Sequence, residues 1–197
     1  ANIFPATYAH EGQSLETKDV LEEIHWTGMI VMHDGKLIHE DYARGNSADT
    51  LHIEMSVTKS LTSILIGIAH DQGHLPDLNA QVTSFIPELE GTGYDGVSVQ
   101  QVLDMTSGIR YIKDYDDLNS DIVQTVVATL RGSLDEFATT MVRQREPGQF
   151  NQYASIETQV LAWILRRATG EEYADFFRDN LWGKIGAESD ARMLVDS

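Results

Sequence analysis

The sequence predicts an α+β fold, mainly helical, with two antiparallel strands near its start. Three observations carry that prediction. The segments Gly28–His33 and Lys36–Tyr42 are rich in strand formers and flank Asp34-Gly35, a strong hairpin signal. From residue 57 onward the apolar residues recur at helical spacing, as in Val160, Leu161, Ile164 and Leu165. Glycine, proline and serine punctuate these stretches where helix starts and stops belong.

In chain order, 14–25 reads as a short helix, with Ser14 as N-cap and Leu15, Val20, Leu21 and Ile24 as its apolar face. The hairpin follows. A polar loop then leads into an extended segment, 50–55, and a helix over 57–72 that stops at Gly73. A short helix is expected over 78–85, ended by Pro87, and a Ser98-capped helix over 99–105. The stretch 109–120, rich in Asp and Tyr, reads as a surface loop. Helices are expected over 122–130, 134–144, 157–169 (stopped by Gly170) and 171–181. The whole reads as a single domain over 1–197, with 14–50 opening the α/β part and 51–197 mainly helical. A lone hairpin leaves its edges unpaired, so this sheet wants partners beyond these two strands.

Composition narrows the function classes. The chain has 197 residues, 42% of them hydrophobic, enough for a packed core. Its formal net charge is −17, which disfavours nucleic acid and anionic membrane surfaces as partners. No apolar run is long enough to span a bilayer. With no cysteine, disulfides, thiolate metal sites and a cysteine nucleophile are excluded, while the compartment stays open.

Ser56-Val57-Thr58-Lys59 is the chemical centre of the sequence. Ser56 falls where the extended segment becomes helix, beside unpaired backbone N–H groups and the positive end of the helix dipole. Lys59 lies one turn on, on the same face. If that turn is buried, the ammonium is disfavoured and the neutral amine can take the serine proton, making a nucleophile. The bland alternative is a capping serine with a solvated lysine.

Several other patterns carry less. Gly91-Thr92-Gly93-Tyr94-Asp95-Gly96 matches G-x-G-x-x-G but lacks the strand before it that dinucleotide binding requires. Asp117-x-Asn119-x-Asp121 begins like a calcium loop but lacks its glycine and its final glutamate. His70 and His74 straddle the end of a helix, and no histidine follows, so nothing points to a Ser-His-Asp triad.

A set of markers falls in one order: Met55-Ser56-Val57-Thr58-Lys59-Ser60, then Gly67 to Gly73, Val102-Leu103-Asp104-Met105-Thr106-Ser107-Gly108, Pro147-Gly148-Gln149-Phe150, Tyr153-Ala154-Ser155 and Ala168-Thr169-Gly170. The ordered set resembles the class C β-lactamase-like serine hydrolases, with their β-lactamase/transpeptidase-like fold, and most closely the branch containing 6-aminohexanoate-dimer hydrolases and related esterases. The resemblance implies Ser56 as the acylated nucleophile, Lys59 as its proton acceptor and Tyr153 as the shuttle to the leaving group. It implies an oxyanion hole using the Ser56 N–H. Ser155 stands where the family often has Asn, which puts β-lactam side-chain binding in doubt and favours esters or linear amides. Tyr115, in a loop that lines the family's substrate site, is a second candidate contact. No cofactor or metal is implied. The family's sheet has at least five strands, so the chain reads as C-terminally incomplete. A second chain or a homodimer completing the sheet, and a non-catalytic binding module, remain alternatives.

Overall fold

The computed structural model describes residues 4–196. They fall into two compact units, one up to Glu54 and one from Met55 onward.

The first unit holds two hairpins and a short helix. Strands β1 (Thr7–His10) and β2 (Gln13–Glu16) pair antiparallel, with Tyr8 opposite Leu15. Helix α1 (Thr17–Glu23) follows directly. Strands β3 (Gly28–His33) and β4 (Lys36–Tyr42) form the second hairpin, in register from Gly28 opposite Tyr42 to His33 opposite Lys36, with an irregularity at Val31/Met32. The turn takes Asp34 to φ 49° and Gly35 to φ 71°, two successive left-handed residues that match the twist of the strands. Each hairpin is its own two-stranded sheet. No residue of this unit is buried among those described.

Here the expectation for residues 14–25 is corrected. Ser14 lies in β2, not at a helix cap, and the helix begins at Thr17 after Glu16. The turn between β1 and β2 is Glu11-Gly12, both at positive φ. Glutamate is an unusual left-handed turn residue, which hides this hairpin in the sequence. Among the described residues four strands therefore stand where two were expected.

The second unit is helical and holds the whole buried core of the described residues. Helix α2 (Val57–Asp71) buries Thr62, Leu65, Ile66 and Ala69, one stripe at i, i+3, i+4, i+7 spacing. Residues 78–85 form not a helix but a single 3-10 turn at Val82–Ser84, since Gln81 is bridged to Ser98. Helix α3 (Val99–Leu103) opens with a capping box between Ser98 and Gln101. Helix α4 (Asp121–Arg131) is capped by Ser120. Helix α5 (Leu134–Thr139) is capped by Ser133 and ends five residues earlier than the pattern predicts, because 143 joins a bridge to Ile109. Helix α6 (Ser155–Thr169) is the hub. It packs on α2, α3, α4 and α5 and buries seven residues from Ile156 to Leu165. Gly170 ends it at φ 73°, where glycine carries no Cβ penalty. Helix α7 (Tyr173–Phe177) also packs on α6 and continues into a π-helical turn at Arg178–Trp182.

The segments before α6 fix its N-terminal approach. The N–H groups of Gln144 and Arg145 both donate to the Gly108 carbonyl, and Gly148 N–H donates to Thr106 O. Gly108 sits at φ 78°, and a Cβ there would collide with the Arg145 carbonyl. Only glycine lets these two strands of chain cross so closely.

Candidate active site

The second unit brings three of the predicted residues together. Ser56 is the residue before α2, with helical backbone angles and no capping bond from its hydroxyl. The hydroxyl instead accepts a hydrogen bond from Lys59 Nζ at 3.1 Å. Ser56 N–H has no acceptor among the described residues. Met55, just before, sits at φ 44°, a region that costs a non-glycine residue about 1–2 kcal/mol. Strain of this size gathers at functional positions.

Tyr153 arrives from the extended segment ahead of α6. Its neighbours hold it there: Gln152 N–H donates to Met105 O at 2.8 Å, the Gln152 amide to Tyr111 O at 2.7 Å, and the Asn151 amide to Asp104 O at 2.6 Å. Lys59 Nζ stands 5.2 Å from the centre of its ring. A second ammonium, Lys113, is closer, at 4.5 Å. Burial works against ionisation of the Tyr153 phenol, but the nearby Ser56 hydroxyl and Lys59, with the charges of Lys59 and Lys113, outweigh it and hold its pKa below the usual tyrosine value.

The other two candidates lie differently. Tyr115 is 66% exposed and, among the described residues, meets the cluster through Lys113, whose Nζ is 5.9 Å from its ring. Ser155 is the first residue of α6, half-buried and within hydrogen-bonding reach of the Tyr111 phenol. The expected burial of the first turn of α2 is not found. Ser56 is exposed and Lys59 half-buried among the described residues, so desolvation of the amine is not supplied by them.

Sequence reasoning missed Lys113, because its proximity to Tyr153 spans forty residues and no local pattern announces it. It also missed a buried polar pair, Ser107 and Glu157. Glu157, in the first turn of α6, is buried and accepts a hydrogen bond from Ser107. Burial, against the opposing pull of Ser107, raises its pKa to about 8. Its second oxygen and the hydroxyl of buried Tyr94 have no protein partner among the described residues.

The lesser motifs resolve into structure. Gly93 N–H donates to Met141 O at 2.7 Å, and Arg143 donates to the carbonyls of Gly93 and Asp95. The glycine run thus serves a close chain crossing. Asp117 accepts from Asn119 N–H in a local turn. The His70 ring pairs with Leu75 O, and the His74 ring packs edge-on against Phe176. Among the described residues no group of three or more acidic or histidine side chains is placed to hold a metal ion. Two surface hollows, one at Thr129 to Gly132 and one at Phe4 to Leu21, share no residue with the Ser56 cluster.

Against known proteins, the beta-lactamase family model matches residues 19–190. The chain belongs to the beta-lactamase family. A 6-aminohexanoate-dimer hydrolase of Paenarthrobacter ureafaciens is 39% identical over 184 residues, covering 89% of this chain and 46% of that protein. A solved structure from Bacillus anthracis, provisionally assigned as a 6-aminohexanoate-dimer hydrolase, superposes with a TM-score of 0.80 at 23% identity, over 90% of this chain and 49% of the other. A class C beta-lactamase from Rhodobacter sphaeroides superposes with a TM-score of 0.61 at 20% identity, over 87% and 48%. The fold is therefore β-lactamase/transpeptidase-like, helix-rich with two small antiparallel sheets, and the chain spans about half the length of these relatives.

Proposed function

We propose that this beta-lactamase-family chain carries the nucleophilic half of a serine hydrolase that cleaves esters or amides through an acyl-enzyme. The Ser56 oxygen attacks the carbonyl carbon and its proton leaves to Lys59 or Tyr153. The bond to the alcohol or amine then breaks, and Tyr153 returns a proton to that leaving group. Water releases the acid by the reverse sequence, with no cofactor or metal. One observation carries the reading: the Ser56 hydroxyl bonds Lys59 at 3.1 Å, and the same ammonium stands 5.2 Å from the Tyr153 ring. In the observed contact Lys59 donates. When the amine is neutral the same short contact runs the other way, from hydroxyl to nitrogen. The lowered Tyr153 pKa supports a phenolate as an alternative acceptor. The free Ser56 N–H supports its use in an oxyanion hole.

The substrate is proposed as a small ester or linear amide, in keeping with the hydrolase named among the relatives and with Ser155 in place of an amide side chain. Fluorophosphonate labelling and chromogenic ester turnover by the full-length protein test the assignment. Ser56→Ala is expected to abolish labelling and lower turnover by about 10³-fold or more; retention of both would refute it.

The exposure of Ser56 favours a second reading, a binding module of the same fold or a chain that needs a homodimer or second-chain partner. Equilibrium binding of a substrate analogue without acylation would support the former. Co-purification of a second species in intact mass spectra would support the latter.

A further inference from the structure

Among the described residues Lys113 is an ammonium without a carboxylate partner, placed over an aromatic ring. The chain has 14 basic against 31 acidic residues. Among the described residues five arginines (Arg44, Arg110, Arg166, Arg167 and Arg178) each pair with a carboxylate, and no lysine does. Lys113 makes no ion pair or hydrogen bond among the described residues, although Asp114, Asp116 and Asp117 follow it in the same loop. Two of those carboxylates are engaged by their own turns: Asp114 accepts from Asp116 N–H at 3.0 Å, and Asp117 from Asn119 N–H at 2.9 Å. The Lys113 ammonium lies instead over the Tyr153 ring at 4.5 Å, nearer than Lys59.

We infer that Lys113 is a positioning residue that acts through Tyr153, holding its ring beside Ser56 and favouring its ionised form, an inference that rests on the role proposed above for Tyr153. An ammonium over a tyrosine face is attracted by the ring. Ionising the phenol strengthens that attraction, because the new negative charge spreads into the ring the cation already faces. The titratable groups facing Tyr153 are Lys59 from α2, and Lys113 with Tyr115 behind it from the 109–120 loop. Glu157, in the first turn of α6, is turned inward to Ser107. No carboxylate pairs with either ammonium among the described residues, so both charges act on the phenol. The lowered pKa of Tyr153, to which both lysines contribute, agrees.

The test reads Tyr153 itself. In protein labelled with 13C at the tyrosine ring, the Tyr153 signal is identified by its loss in Tyr153→Phe, and its titration is followed. Lys113→Met is expected to raise the Tyr153 midpoint by about half to one pH unit, and Lys113→Arg to leave it near the native value. The limb of kcat/KM that follows Tyr153 should move with it. Lys113 is exposed, so both variants should fold. An unmoved midpoint in Lys113→Met overturns the inference, as does an equal shift in Lys113→Arg, and so does a loss confined to KM for carboxylate-bearing esters. The titration is independent of turnover. Full turnover by Tyr153→Phe would sink the proposed mechanism while leaving the Lys113–Tyr153 coupling intact.

Discussion

The two units of this chain are held by different physics. Up to Glu54 nothing described is buried, and Ile30, Met32, Leu37 and Ile38 of the β3–β4 hairpin are about half or more exposed. Order there comes from ladder bonds and from a turn whose residues accept positive φ. From Met55 onward, α6 collects the apolar faces of its neighbours and twenty-six apolar side chains among the described residues are buried. The candidate catalytic residues all belong to this second unit. Chemistry that needs side chains held to fractions of an ångström belongs on the unit whose rotamers are locked by packing.

The contrast can be broken by substitution. The largest effect is expected at Phe176, which is fully buried: Phe176→Ala should destabilise the second unit by about 3–5 kcal/mol, read by denaturant unfolding. Next comes Glu157, whose pKa in the folded chain is about 8, above its ordinary 4.5. The folded state then holds a proton that the unfolded state has released. Stability from this group is complete below about pH 4.5 and is lost as pH rises toward 8, by up to about 1.4 kcal/mol per pH unit. Glu157→Gln should flatten that slope in unfolding curves measured between pH 5 and 8, and an unchanged slope would contradict the assignment. The smallest effect is expected at Ile30, 58% exposed in β3. Ile30→Ala should change stability by no more than about 0.5 kcal/mol, and a larger loss would show that the hairpin is held by more than its ladder.

Much of this was legible in the residues. Asp34-Gly35 announced the β3–β4 hairpin, and the 3.6-residue spacing announced α2 and α6, because each signal is local. The β1–β2 hairpin was not legible, since Ser14-Leu15-Glu16-Thr17 imitates a helix start and Glu11 is a poor turn residue. Helices over 78–85 and 134–144 were overdrawn, because bridges from Gln81 to Ser98 and from Ile109 to Arg143 override local preference. At the site, Ser56 and Lys59 were readable as a one-turn pair. Tyr153 was found only through the ordered family markers, and Lys113 not at all, because a contact between 113 and 153 exists only after folding.

The interior carboxyl of Glu157 also changes how the molecule moves in an electric field. The formal charge of −17 counts that residue as an anion, yet with its pKa near 8 it is mostly protonated at neutrality. The native chain therefore migrates as if it carried about one negative charge fewer than its composition implies. Unfolding returns that charge, so the denatured band should run slightly more anionic than size alone would dictate.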